Sequence, residues 1–310
     1  MKLKVRIQTI HTKNLRWIDI TDPGDEELSW LRNNFRFHDH HFTAVASRQF
    51  RPHIDQGPGY DFIVLLFPVY DKIRQEITSG EVDFLIGDNF LITVHYGQIH
   101  ALKELFAQLK SGEQYRQAHL YQGSGFLLYK LLHNLLERSY PILDHMTADV
   151  ENLEKNIFDN LEVSMLSQIA LMKKNIIEFR KMMKTHSFIL EKLPKRKADY
   201  LNFHGSREQY QNLLEYSRNI WDILDALKET TEGLADTNQA LATHRLNQIT
   251  KYISIFSAIT LPATLVAFLF GIGVEGIPFR HNPYGFWIVA GIMSTLSVSI
   301  LLIFKKKRWF

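Results

Sequence analysis

Two stretches without Asp, Glu, Lys or Arg, residues 252–274 and 281–304, constrain this chain more than anything else in it. At about 1.5 Å per residue, each is long enough as a helix to cross a hydrocarbon core of about 30 Å. A buried helical hairpin in a soluble domain is the competing reading. Such helices are usually shorter and keep a polar stripe for water, so the sequence favours a transmembrane hairpin. The short connection holds one acid, Glu275, and one base, Arg280. Arg245 and Lys251 precede the first run, and Lys305, Lys306, Lys307 and Arg308 close the second. The positive-inside rule then puts both termini in the cytoplasm, with Tyr284 and Trp287 at the outer interface and Trp309 at the inner one. The opening MKLKVRIQTIHTKN has no apolar core long enough for a cleavable signal peptide.

The preceding 250 or so residues read as a soluble body. Overall the chain is 45% hydrophobic and 22% charged, a globular average whose apolarity is concentrated at one end. With no cysteine there are no disulfides and no thiolate metal sites. A formal charge of +3, without interleaved aromatic and basic residues, gives no reason to expect a nucleic-acid partner. Phosphate-binding glycine loops, Gly-x-Ser-x-Gly and His-Glu-x-x-His are all missing, so neither an enzyme nor a bound cofactor is expected. Residues 3–10, 16–20, 61–71, 81–87 and 89–97 read as strands, the last two joined at Gly87-Asp88-Asn89. Asp22-Pro23-Gly24-Asp25-Glu26-Glu27 reads as a helix start running through Leu28, Leu31 and Phe35. After Gly125 apolar residues recur three and four apart, with breaks expected only near Asp159-Asn160 and between Leu193 and Ser206. The fold class is an α+β domain followed by long helices and the membrane hairpin.

No convincing stop separates Ser206 from the first span. Gly233 alone costs about 1 kcal/mol, and the stripe Leu213, Tyr216, Ile220, Leu224, Leu227, Leu234, Leu241 runs past it. One helix of roughly 100 Å is expected, too long and too apolar to stand alone, so the chain should oligomerise. Within the span, Thr250, Ser257, Leu261, Thr264 and Phe268 fall on one face within about 60°, and Asn247 extends it. Hydroxyls there either bond their own backbone and permit close helix contact, or form rings around a pore as weak ligands for a hydrated cation. Pro262 lies off this face. The exit, Gly271-Ile272-Gly273-Val274-Glu275, is followed by Gly276-Ile277-Pro278. Glycines and proline suit a turn out of the bilayer, with left-handed or closely packed backbone at Gly271 and Gly273. Glu275 is either a solvated loop charge or, repeated around an oligomer, a ring of carboxylates that recruits cations.

Two smaller clusters stand out. His38-Asp39-His40-His41 reads as an exposed polar turn. Zinc is the alternative, but the adjacent His40 and His41 give poor geometry without an i, i+4 pair. Lys192, Lys195, Arg196 and Lys197 around Pro194 read as a solvated hairpin tip, with anionic lipid heads as the alternative contact.

The order Asn247, Lys251, Pro262, Gly271, Pro278, then Tyr284-Gly285 and Phe304-Lys305-Lys306-Lys307-Arg308-Trp309, resembles the CorA-type divalent metal transporters, including the ZntB branch. Upstream, Trp17-Ile18-Asp19-Ile20, Arg51-Pro52, residues 89–95 and Tyr140-Pro141-Ile142-Leu143-Asp144 resemble that family's cytoplasmic domain. The resemblance implies a homopentamer in the bacterial inner membrane with an α/β/α funnel (residues 1–130) and a cytoplasmic helical hairpin (131–204). It also implies a stalk helix (205–251), a pore-lining span (252–272), an outer loop (273–283), a second span (284–304) and a basic tail (305–310). It further implies passage of zinc, magnesium or related divalent cations, the substrate and not a cofactor; with Gly273 offering no side chain and no thiolate or His in the span, the path lined by the stripe is expected to be weakly selective. Gly271, Ile272, Gly273 and Glu275 would form the selectivity loop. A non-conducting, family-shaped scaffold or sensor is the alternative. Two positions depart from the pattern. The family's Gly-Met-Asn is Gly271-Ile272-Gly273 here, and Gly276-Ile277-Pro278 is closer to the ZntB branch. The magnesium-sensing carboxylate of the stalk corresponds to Asn219 in Arg218-Asn219-Ile220-Trp221-Asp222.

Overall fold

The structure, a computed structural model, describes residues 6–12, 14–48, 51–113, 116, 120, 122–158, 163–196, 198–272, 278–279 and 282–307. The chain divides into two compact units, Met1–Ala235 and Asp236–Phe310.

The first unit is built on a six-stranded mixed sheet: β1 (Ile7–His11), β2 (Arg16–Thr21), β3 (His53–Gly57), β4 (Tyr60–Asp71), β5 (Glu76–Gly87) and β6 (Phe90–His95), in the order β1-β2-β6-β5-β4-β3. Only the β2–β6 pair is parallel among the described strands. The strands expected near 16–20, 61–71, 81–87 and 89–97 are present, and β1 covers residues 7–10 of the 3–10 segment. β5 starts earlier than expected because it pairs with β4 along its whole length, from Tyr60↔Gly87 to Asp71↔Glu76. Strand β3 was not expected. Its sequence, HIDQG, has a single β-branched residue, and it becomes a strand only by pairing with β4 through a tight turn in which Gly59 takes φ 76°.

Alternation sorts the side chains to two covered faces. Ile18, Ile20, Phe62, Val64, Leu85, Ile92 and Val94 form a core with Leu31 and Phe35 at helix α1 (Asp25–Asn34) and with Phe42 and Val45 of α2 (Asp39–Ala46). Helix α1 starts within the expected segment, and the Glu27 carboxylate accepts a hydrogen bond from the Gly24 N–H at 2.9 Å. On the other face Trp17 meets Phe106 of α3 (His100–Ser111) edge to face, with ring centroids 4.9 Å apart. The parallel β2–β6 register places Asp19 opposite Thr93. There Trp17 Nε1 donates to Thr93 Oγ1 (3.1 Å), and Thr93 Oγ1 donates to Asp19 Oδ1 (2.5 Å). This buried network ties residues 17–20 to residues 89–95: Trp17 and Asp19 find their partner in Thr93 across the strand pair.

Helices follow: α4 (Ser124–Glu137), α5 (Tyr140–Asn156), α6 (Val163–Lys192), two short 3₁₀ turns at Leu193–Lys195 and Asp199–Leu201, α7 (Ser206–Gly271) and α8 (Gly285–Lys306). The helical pattern after Gly125 has one more break than expected, between Glu137 and Tyr140. Pro141 explains it, since in the first turn of α5 its missing N–H is not needed. The break expected at Asp159-Asn160 lies outside the described residues.

α7 is a single helix of 66 residues. In the first unit its Leu213, Ile220, Leu224, Leu227 and Leu234 are buried, each worth about 2 kcal/mol of apolar burial. α6 provides much of their cover. Ser217 Oγ lies 3.1 Å from Ser187 Oγ, Arg180 pairs with Asp225 at 2.7 Å, and the Arg180 guanidinium sits 4.5 Å from the Trp221 ring centre. The soluble half of α7 therefore buries its stripe within its own chain and does not itself require a second copy.

Candidate functional site

The second unit contains the end of α7 and α8. Each helix has a charge-poor apolar window, and of these windows only 6% in α7 and 0% in α8 is buried within the chain. A core hairpin of a soluble protein would be mostly buried. Leu261, Leu265, Phe268 and Leu269 on α7, and Phe286, Trp287, Leu302 and Ile303 on α8, are exposed large apolar residues that require lipid or another protein surface.

The covered and uncovered faces of α7 separate clearly. Ile255 is buried, and Ile259, Pro262, Ala263, Val266 and Phe270 are half-buried. On α8 the half-buried positions Val289, Met293, Leu296 and Ile300 recur three or four apart. At about 100° per residue, the covered face of α7 is centred roughly opposite Thr250, Ser257, Leu261, Thr264 and Phe268. All of that stripe is exposed except Ser257, which is half-buried, and Asn247 is exposed as well. Pro262 lies on the covered side. Thr264 Oγ1 donates to the Thr260 carbonyl at 2.7 Å, so the hydroxyl does bond its own helix, while its lone pairs still face outward.

Gly271 is the last residue of α7 and Ile272 is exposed beyond it. Gly271 is neither left-handed nor closely packed: a Cβ added there meets nothing within 4 Å. The single chain thus gives no backbone reason for this glycine. Gly273 and Glu275, with Gly276, Ile277, Arg280 and His281, lie outside the described residues. Phe279 takes φ 70°, Asn282 Oδ1 accepts the Tyr284 N–H at 2.9 Å, and a Cβ on Gly285 would come within 2.4 Å of the Phe279 carbonyl oxygen. Gly285 is required for that approach. Tyr284 and Trp287 are exposed at the start of α8, and Lys305, Lys306 and Lys307 are exposed at its end. Arg308 and Trp309 lie outside the described residues. Asn219, expected from the resemblance to replace a stalk carboxylate, is exposed on α7 beside Arg218, itself 3.0 Å from Glu191.

The smaller clusters differ from expectation. His38-Asp39-His40-His41 is not a turn: His38 precedes α2, the next three residues open it, and His41 is fully buried. Asp55 of β3, absent from the sequence reading, joins them, with Oδ2 3.2 Å from His40 Nε2 and 3.1 Å from His41 Nε2. Burial lowers the His41 pKa, and the His41 hydrogen bond is the main cause holding the Asp55 carboxyl down at about 2. The basic tip is not wholly solvated either. Arg196 pairs with the fully buried Asp61 of β4, whose other oxygen accepts from the Tyr200 hydroxyl at 3.0 Å. Lys192 sits 3.9 Å from the Phe188 ring centre. Lys197 lies outside the described residues.

The family model described as CorA-like Mg2+ transporter protein matches residues 12–306. The chain belongs to that family. The cobalt/magnesium transport protein CorA of Methanocaldococcus jannaschii is 25% identical over 95% of this chain and 91% of its own length. The zinc transport protein ZntB of Pectobacterium atrosepticum is 22% identical over 94% of this chain and 87% of its own. The solved structure of the complete CorA magnesium transporter from Methanocaldococcus jannaschii superposes with a TM-score of 0.81 at 23% identity, covering 97% of this chain and 94% of that one. This CorA-like chain therefore has the family's mixed-sheet domain, long helix and two apolar C-terminal helices. Cobalt/magnesium and zinc relatives resemble it about equally, so the branch is not distinguished.

Proposed function

We propose that this CorA-like chain is a divalent-cation transporter or channel of the plasma membrane, in which several copies set the Asn247–Phe268 stripe around a shared path. The stripe's placement carries the reading. It combines hydroxyls with apolar residues, faces away from the half-buried side of α7, and from Ser257 to Phe268 lies in a charge-free, largely unburied span, with Asn247 and Thr250 just before it. In lipid an uncovered polar stripe is best satisfied by neighbouring copies, and hydroxyl rings let a cation pass with much of its water. Five copies follow from the family resemblance, as do a stalk over 205–251 and spans over 252–272 and 284–304, while the basic residues flanking the spans favour cytoplasmic termini. The names of the relatives favour cobalt, magnesium and zinc as cargo and transport over catalysis. Gly273, where the family carries asparagine, favours a weakly selective path and is also the one observation that favours a non-conducting scaffold. Flux separates the two. Full-length protein in liposomes is expected to pass at least one of zinc, nickel, cobalt or magnesium, and no flux of any of them under either membrane polarity overturns the transporter reading.

A further inference from the structure

We propose that His40, His41 and Asp55 form a binding site for a zinc-class divalent cation in the first unit, tying the start of α2 to the edge strand β3. The three ligand atoms lie within 4.8 Å of one another. Asp55 Oδ2 is 3.2 Å from His40 Nε2 and 3.1 Å from His41 Nε2. The two edges to Asp55 match the edge of about 3.3 Å in a tetrahedron with metal bonds of about 2.0 Å. An ion can therefore replace the two hydrogen bonds to Asp55, with the exposed His40 ring free to turn and close the third edge.

The atoms that would not touch the ion are already held. His41 Nδ1 is 2.7 Å from the Tyr60 hydroxyl, which also accepts the His38 N–H at 2.8 Å. Asp55 Oδ1 accepts the Gln56 N–H at 2.8 Å. Two of the three ligands are thus oriented through their far atoms, as metal ligands are by their supporting hydrogen bonds. Behind them the site is dry: the His41 ring packs on Phe62 with centroids 4.7 Å apart. In front it is open, since the His40 and Asp55 side chains are 63% and 49% exposed, leaving an entry path and a fourth position for water. Two imidazoles and one carboxylate suit zinc, cobalt or nickel and not magnesium, which takes oxygen ligands. Adjacent histidines on a helix normally diverge. Here the two rings lie 4.1 Å apart, drawn to one carboxylate by a strand fourteen residues on from His41.

The test uses full-length protein in detergent, stripped with a chelator and titrated with zinc chloride, counting bound zinc per chain by equilibrium dialysis and elemental analysis. His40→Ala and Asp55→Asn are the variants, because both side chains are exposed and neither change opens the core as His41→Ala would. Wild type is expected to bind one zinc per chain more than either variant, at matched secondary structure. In wild type, cobalt(II) added as a probe should give a tetrahedral visible spectrum that both variants lose. Zinc content in His40→Ala equal to that of wild type overturns the site. Because the measurement is binding and needs no transport, it stands or falls separately from the flux assay.

Discussion

His186 on α6 is fully buried, packs edge-on against Phe67, and donates from Nε2 to the Leu66 carbonyl at 2.7 Å. Burial lowers its pKa to about 4. Above pH 6.5 the imidazole is neutral whether folded or unfolded and contributes no pH dependence. As pH falls from 6.5 to about 4, the unfolded chain takes up a proton that the folded chain refuses. Stability should then fall by about 1.4 kcal/mol per pH unit, about 3 kcal/mol across the window. Urea unfolding in detergent, followed through the buried Trp17, should show His186→Gln losing markedly less stability than wild type between pH 6.5 and 4.5. An identical pH slope in both would remove His186 as the cause. None of this is legible in the sequence, where KTHSF looks like an exposed helix segment and the acceptor carbonyl is 120 residues away. The Asp61–Arg196 pair escaped for the same reason: a basic run around a proline reads as solvated until β4 brings a buried carboxylate beneath it.

Helices were the most legible elements, because their signal is a local period and their ends carry proline or glycine. α7 was expected to run unbroken past Gly233, and it does. Its apolar stripe, read from the sequence, argues for oligomerisation along the whole helix, whereas the structure buries the stripe of the soluble half, Leu213 to Leu234, within its own chain. Among the described residues of α7, the uncovered large apolar side chains concentrate from Leu246 onward. That division gives a sharp expectation in a chain with no native cysteine. In reconstituted protein, cysteines at Ser257 and Thr264 should react with small water-soluble thiol reagents, while those at Leu265 and Val266 should not. Equal labelling at all four positions would overturn the assigned face. Strand β3 marks the limit of local reading: HIDQG lacks strand propensity, and its pairing with β4 is what makes it a strand.

At the scale of the whole molecule, the proposed assembly makes ion choice depend on the outer mouth that its copies would share. Magnesium sheds water reluctantly, so a magnesium-selective mouth needs several oriented polar groups to hold the hydrated ion. An asparagine side chain supplies such a group and Gly273 does not. Gly273→Asn is expected to shift flux toward magnesium. Glu275→Gln should lower flux most at low ionic strength, where screening is weakest. Strong magnesium selectivity in wild type, with hexahydrated-ion mimics blocking it as well as they block relatives carrying the asparagine, would contradict this account. The sequence by itself determined the two apolar spans, the α+β body before them and the continuity of α7, because transfer into lipid and helix periodicity depend on residues contiguous in the chain. Only the tertiary structure decided that Asp55 meets His40 and His41, that Arg196 covers Asp61, and that the stripe lies opposite the half-buried face of α7. Those outcomes depend on strand register and helix packing, which join residues whose separation in sequence carries no local signal.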